Sequence, residues 1–119
     1  MHGAIMIKWG ANVPGREQTG LAVFTRAVGR FEDLAKQGRV QGHREYFSLT
    51  GHDGGFMLVE GEAAELTKIL ADEETLKLNA QAAAVVSDYE VQAYLGGTDQ
   101  SVQELMTNYT GELQTLGYM

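Results

Sequence analysis

Six side chains have the types and placement to do chemistry in one hollow: Trp9, Asn12, His43, Arg44, Tyr46 and Tyr94. Trp9 offers an aromatic wall and Asn12 an uncharged amide. His43 titrates near neutral pH and Arg44 is a fixed cation. With the phenols of Tyr46 and Tyr94, this set suits a small apolar or aromatic ligand held by a few polar contacts. It contains no clear acid–base pair, so no catalytic residue is assigned. Lys8 and Glu90 offer a second possibility, because burial would shift their pKa values toward acid–base work. The plainer alternative pairs Lys8 or Arg44 with Glu90 across strands or subunits. It is preferred, since structural ion pairs perturb such groups equally well. Trp9, Phe24, Phe31, Phe47, Phe56 and Tyr89 form an aromatic set for a pocket between sheet and helices. Their periodicity fits an ordinary core better.

Other motifs fail on their mechanics. Gly10 and Gly15 have the spacing of a phosphate-binding loop, but Arg16 and Glu17 stand where Lys and Ser/Thr are required. His2, His43 and His52 have no second ligand three or four residues away, so no metal site is readable. Neither long helical stretch carries a histidine for haem, and no cofactor is expected. There is no cysteine, which removes disulfides and thiolate chemistry and fits a reducing, cytoplasmic setting. Nine basic residues against sixteen acidic give a net charge of −7, and no basic face for nucleic acid emerges. No stretch is apolar enough to span a membrane, and no basic-then-apolar signal opens the chain.

The elements that position these residues follow in order. Ala4–Trp9 reads as a strand, and Gly10–Gly15, with the only proline, as a turn. Arg16–Lys36 reads as a helix with Leu21, Phe24, Val28, Phe31 and Ala35 in one stripe and Gly38 as its cap. Gly29 inside it suggests close packing. Arg44–Thr50 and Phe56–Gly61 read as a hairpin around Gly51–Gly55. Phe47, Leu49, Phe56 and Leu58 are assigned to the helix side, and Tyr46, Met57 and Val59 to the other. Glu62–Val86 is helical, divided at Asp72, with Leu76, Ala80, Ala83 and Ala84 as its packing face. Tyr89–Leu95 alternates as a last strand. Thr98 or Ser101 caps a final helix whose stripe is Val102, Leu105, Met106, Tyr109, Leu113 and Leu116. That helix should pack on a dimer or on its own sheet edge. All 119 residues read as one domain.

The order β-α-β-β-α-β is the split βαβ, or ferredoxin-like, pattern: an α+β domain with a four-stranded antiparallel sheet, two helices on one face and an extra C-terminal helix. The open face combines Met6, Lys8, Arg44, Tyr46, Ser48, Met57, Val59, Glu90, Gln92 and Tyr94. That is too apolar for a solvated sheet and too polar for a dry core, so a second copy is its expected cover. The strand Ile5-Met6-Ile7-Lys8-Trp9 with its proline loop and amphipathic helix resembles the dimeric α/β-barrel superfamily. So does the run Asp72-Glu73-Glu74-Thr75-Leu76 through Ala82-Ala83-Ala84 to Tyr89-Glu90-Val91. The resemblance implies two ferredoxin-like sheets paired as a homodimer. Members of that superfamily include cofactor-independent monooxygenases, isomerases, haem-handling proteins and ligand-sensing domains, so it implies assembly more firmly than activity. Asn12 beside Trp9 is similar to the monooxygenase members. Two functions follow as expectations: a homodimeric domain binding a small apolar or aromatic ligand, or a cofactor-independent monooxygenase or isomerase acting on a small cyclic substrate. A third, assembly alone, would require a filled core; an empty cavity of several hundred Å3 between sheet and helices would favour the first two.

Overall fold

The computed structural model describes residues 1–119. Strand β1 (His2–Trp9) leads through a proline loop to helix α1 (Glu17–Lys36). Strands β2 (Gly42–Phe47) and β3 (Gly55–Glu62) form the hairpin. Helices α2 (Ala63–Ala71) and α3 (Glu73–Val85), strand β4 (Glu90–Leu95) and helix α4 (Asp99–Thr115) complete the chain. The sheet order is β2-β3-β1-β4 and every pairing is antiparallel. This is the expected ferredoxin-like α+β arrangement with an added C-terminal helix.

Register decides which residues share a face. His43, Val59, Ile5 and Ala93 lie abreast, as do Glu45, Met57, Ile7 and Val91. These rows face the helices: Ile5 and Val59 are 0% exposed and pack with Met57, Phe31, Leu34, Val40, Leu66 and Ile69. The opposite face holds Arg44, Leu58, Met6 and Gln92 abreast, with Tyr46, Phe56, Lys8 and Glu90 in the next row. The β3 assignment is therefore reversed from expectation. Met57 and Val59 are core, while Phe56 and Leu58 lie on the open face. β3 is apolar on both faces, so its pattern alone carries no parity, and pairing with β1 sets it. The open face keeps its mixed character, since one apolar pair replaces the other.

Two other readings change. β2 ends at Phe47, so the connection is the longer Ser48–Gly54 loop, and Leu49 is 99% exposed there instead of facing the helices. On α3, Leu76, Ala80, Ala83 and Ala84 are exposed, and the inward face is Thr75, Leu78, Asn79, Ala82 and Val85. Asp72 sits at the predicted helix junction but its carboxylate does not cap α3. It instead accepts from Arg30 Nη2 at 3.3 Å and Arg39 Nη1 at 3.2 Å, joining α1 and the α1–β2 connection to the α2–α3 joint. Thr98, of the two candidate caps, accepts from the Ser101 N–H at 3.1 Å, and the Ser101 hydroxyl accepts from the His2 N–H at 3.0 Å.

Candidate functional site

A cavity of about 450 Å3 lies between the sheet and helices α1 and α3. Its floor is Ile7, Trp9 and Met57 from the helix-facing rows of β1 and β3. α1 supplies Val23, Phe24 and Ala27, and α3 supplies Leu78, Ala82 and Val85. Fifteen of the 22 lining residues are hydrophobic, so the space is a mainly apolar cleft that opens to solvent past the exposed Leu21 and Phe47.

The cavity has an aromatic corner built by the ends of two strands and one helix. Trp9 meets Phe24 edge-on with centroids 5.6 Å apart and Phe47 at 6.0 Å, and Phe24 lies 5.5 Å from Phe47. The glycine-rich β2–β3 connection makes this corner possible. A Cβ on Gly54 would land on the Trp9 indole and on the Gly10 carbonyl. Gly54 N–H also donates to the Trp9 carbonyl at 2.9 Å. The glycine signal of the hairpin therefore reflects a close approach to Trp9 as well as a turn.

Polar groups enter at few points. The Tyr89 hydroxyl donates to Asn79 Oδ1 at 2.6 Å. Burial pushes the Tyr89 pKa up to about 12, so the phenol stays protonated at neutral pH. Thr75 lines the same space, and its Oγ1 accepts from Arg30 Nε at 3.2 Å and Nη2 at 2.9 Å. Asn12 and Glu17 belong to the loop end of the lining. Gly20, one turn into α1, lets the helix approach that loop; its Cβ would lie 2.9 Å from Asn12 Oδ1. Asn12 is further fixed by a backbone bridge to Val86.

The structure brings together two of the six predicted site residues. Trp9 and Asn12 line the cavity. Arg44, Tyr46 and Tyr94 lie on the open sheet face, across the sheet from it. Arg44 pairs with Glu60 at 3.2 Å, Tyr46 stacks on Phe56 with centroids 4.9 Å apart, and Tyr94 donates to Gln92. Lys8 lies opposite Glu90 in register, but its nearest carboxylate is Asp53 at 3.9 Å, and Glu90 accepts from Gln92. The expected pairing of Lys8 or Arg44 with Glu90 within the chain is absent. Of the aromatic set, Trp9, Phe24, Phe31, Phe47 and Tyr89 line the cavity, whereas Phe56 is on the other face with Tyr46.

His43 stands apart on the helix side of edge strand β2. Its Nδ1 contacts Glu45, and its Nε2 lies 2.6 Å from Glu32 of α1. Burial disfavours its charge, but the hydrogen bonds and charges of Glu32 and Glu45 outweigh this and hold its pKa above the ordinary value. The two carboxylates approach opposite edges of the ring, so they cannot share a metal with it, and no three such side chains form a metal-binding group. The cluster is a clip between α1 and β2.

Sequence reasoning missed Asn79 and Thr75 in the cavity. They follow the helical spacing of Leu78, Ala82 and Val85. The available signal was a pair of polar residues four apart within an apolar stripe.

No protein-family model matches the sequence, and no curated protein matches it at a significant level. Solved structures do match in fold. SnoaB, a cofactor-independent oxygenase from Streptomyces nogalater, is similar with a TM-score of 0.63 and 14% identity, over 82% of this chain and 94% of that one. A protein of Mycobacterium tuberculosis is similar with a TM-score of 0.64 and 15% identity, over 83% and 97% of the two chains. A dimeric protein of unknown function and ferredoxin-like fold from Bacteroides fragilis gives a TM-score of 0.56 and 13% identity, over 78% and 94%. At these identities the likeness concerns the fold. It agrees with the ferredoxin-like assignment reached from the order of elements.

Proposed function

We propose that the chain is a small-ligand-binding domain working as a homodimer, with the site in the cavity between the sheet and helices α1 and α3. The observation that carries this reading is the cavity itself: about 450 Å3 of mainly apolar space between layers that protein interiors normally pack closed. An aromatic corner at Trp9 and a few uncharged polar groups make it suited to a small apolar or aromatic molecule. Native mass spectrometry of the purified chain tests this, with a bound small molecule as the expected result. Ala82→Phe, which fills the cavity, should remove that mass while the thermal unfolding transition persists. A bound mass that survives the substitution would place the ligand elsewhere and overturn the reading.

Assembly is the second part of the proposal. The open sheet face carries Met6, Tyr46, Phe56, Leu58 and Tyr94 around Lys8, Arg44, Glu60, Glu90 and Gln92. A second copy of the same sheet is its simplest cover, and the similarity to a dimeric ferredoxin-like protein supports it.

A cofactor-independent monooxygenase is the second reading. It is supported by Asn12 and Trp9 both lining the cavity and by the fold similarity to SnoaB. Binding is preferred because the lining supplies no histidine or lysine as a base, its one carboxylate, Glu17, is taken up at the loop end by the Gly15 N–H, and its one phenol, Tyr89, is shifted away from a base. Oxygen uptake on addition of the co-purified molecule, abolished by Asn12→Ala, would favour the oxygenase.

A further inference from the structure

We propose, resting on the ligand-binding reading above, that the cavity selects by charge: its occupant is uncharged, largely apolar and carries a hydrogen-bond acceptor that meets the Asn79 amide, and an anion of the same shape is excluded. The argument begins with the lining. No lysine, arginine or histidine is among its 22 residues, and the carboxylate it includes is Glu17. An anionic ligand would give up part of its water for an apolar wall with no countercharge, which is costly for an ion even at a site partly open to solvent.

The nearby cations do not repair this. Arg16 is held outward by its Nη1 donating to the Ala84 carbonyl at 2.6 Å. Arg30 donates to Thr75 Oγ1, but its charge is paired with Asp72 at 3.3 Å. The helix ends do not supply a field either. The N-terminus of α1 lies beside the C-terminus of α3, as the Arg16–Ala84 contact and the Val13 N–H donating to the Val85 carbonyl at 2.9 Å establish. The positive end of one dipole therefore offsets the negative end of the other. Glu17 at the loop end repels anions further, and its Oε1 is kept in place by the Gly15 N–H at 3.2 Å.

What remains to recognise a ligand is uncharged. With Asn79 Oδ1 accepting from Tyr89, the Asn79 Nδ2 hydrogens are donors with no side-chain or backbone acceptor in the fold. An amide donor at the wall of an apolar hollow fits a ketone, ether or ester oxygen. The hydrogen bond from Tyr89 holds the Asn79 amide in place, so little side-chain freedom is lost when Nδ2 donates to a ligand.

The test uses three ligands with one ring system, titrated calorimetrically into the full chain at neutral pH: methyl 2-naphthyl ketone, 2-naphthoate and naphthalene. The ketone and the carboxylate differ by a methyl in place of a charged oxygen. The ketone should bind about tenfold or more tightly than naphthoate, a conservative reading of the burial cost of a charge. Naphthalene should bind more weakly than the ketone. Asn79→Leu should reduce the ketone to the affinity of naphthalene, whose own binding reports that the variant keeps its cavity. Asn79→Ala, which removes the donor without adding charge, should do the same if the leucine variant fails to fold. Equal affinity for ketone and carboxylate would overturn charge selection and leave the cavity reading standing. Unchanged ketone affinity in the Asn79 variants would overturn the anchor. If none of the three binds, naphthalene included, the cavity reading itself fails and this inference with it.

Discussion

At the residue scale, the group with the clearest consequence outside the cavity is His43. It faces Glu45 on its own strand and Glu32 on α1, with Lys36 one helical turn beyond Glu32. Its pKa is raised in the fold, so the imidazolium is favoured by folding. The stability it contributes is fully present below its unfolded value, about 6.5. That contribution is lost as pH rises through the higher folded value. Glu32 behaves oppositely: its hydrogen bond to His43 lowers its pKa, so its contribution exists above the ordinary carboxylate range and fades in acid. The clip is therefore strongest between those limits. Urea unfolding midpoints of the wild-type chain should fall from weakly acidic to mildly alkaline pH more steeply than those of His43→Gln. Parallel slopes would show that the cluster does not couple to folding. Within the cavity, Trp9 depends in the same local way on Gly54, whose missing side chain is the space the indole occupies.

At the element scale, two glycines in α1 have opposite meanings. Gly29 meets nothing within 4 Å of a built Cβ, so the close packing expected for it is absent. Gly29→Ala should stabilise the chain by about 0.5–1 kcal/mol, because alanine restricts the unfolded chain and suits a helix better. Gly20 is buried, and a Cβ there would press on Asn12 at 2.9 Å. Gly20→Ala should lower the thermal midpoint and weaken ligand binding together, since helix and loop must separate. If both alanines behaved alike, the contact with Asn12 would carry no weight. The same elements show what was legible. β1 and α1 could be read because one face of each is apolar, and the helix break could be read because Asp72 followed by two glutamates suits a helix start, although its carboxylate turns to Arg30 and Arg39 instead of capping. The parity of β3 could not, because Phe56, Met57, Leu58 and Val59 offer an apolar residue to either side. α3 misled for a related reason. Its inward stripe includes Thr75 and Asn79, which look like surface, while the alanines on its outer side look like core. Those two polar residues are partnered by Arg30, 45 residues away, and by Tyr89 beyond the end of the helix, and the helical pattern announces neither partner. The cavity was half legible for that reason: its strand-end residues Trp9 and Asn12 stood out, and its α3 wall did not.

At the scale of the whole molecule, α4 is the unresolved debt of the fold. The chain measures 56 × 33 × 25 Å and has a radius of gyration of 16.9 Å. A compact chain of this length would have about 13–14 Å. α4, which makes little contact with any other element, stands off the body and accounts for the difference. Most of its stripe is bare: Met106 is 55% exposed, Tyr109 61% and Leu116 67%, while Leu105 and Leu113 are half-buried. The expected packing on its own sheet edge is not found. A lone helix of this length is marginal in water, so its order calls for a surface. The open sheet face presents the same deficit, and a twofold dimer can cover both with one operation, because each copy offers what the other lacks. Leu58 sits near the centre of that face, between Arg44 on β2 and Met6 on β1. Sedimentation at micromolar concentration should find the wild-type chain as a dimer and Leu58→Asp shifted to monomer, since an unpaired carboxylate at a buried centre is strongly disfavoured. A monomeric wild type would refute the covered face outright. Hydrogen exchange then separates the two surfaces. The amides of residues 102–115 should be protected in the dimer and exchange rapidly in Leu58→Asp, while those of β1 and β3 stay protected in both. Equal exchange of α4 in dimer and monomer would mean that the sheets pair without it, and that its apolar stripe serves a different contact.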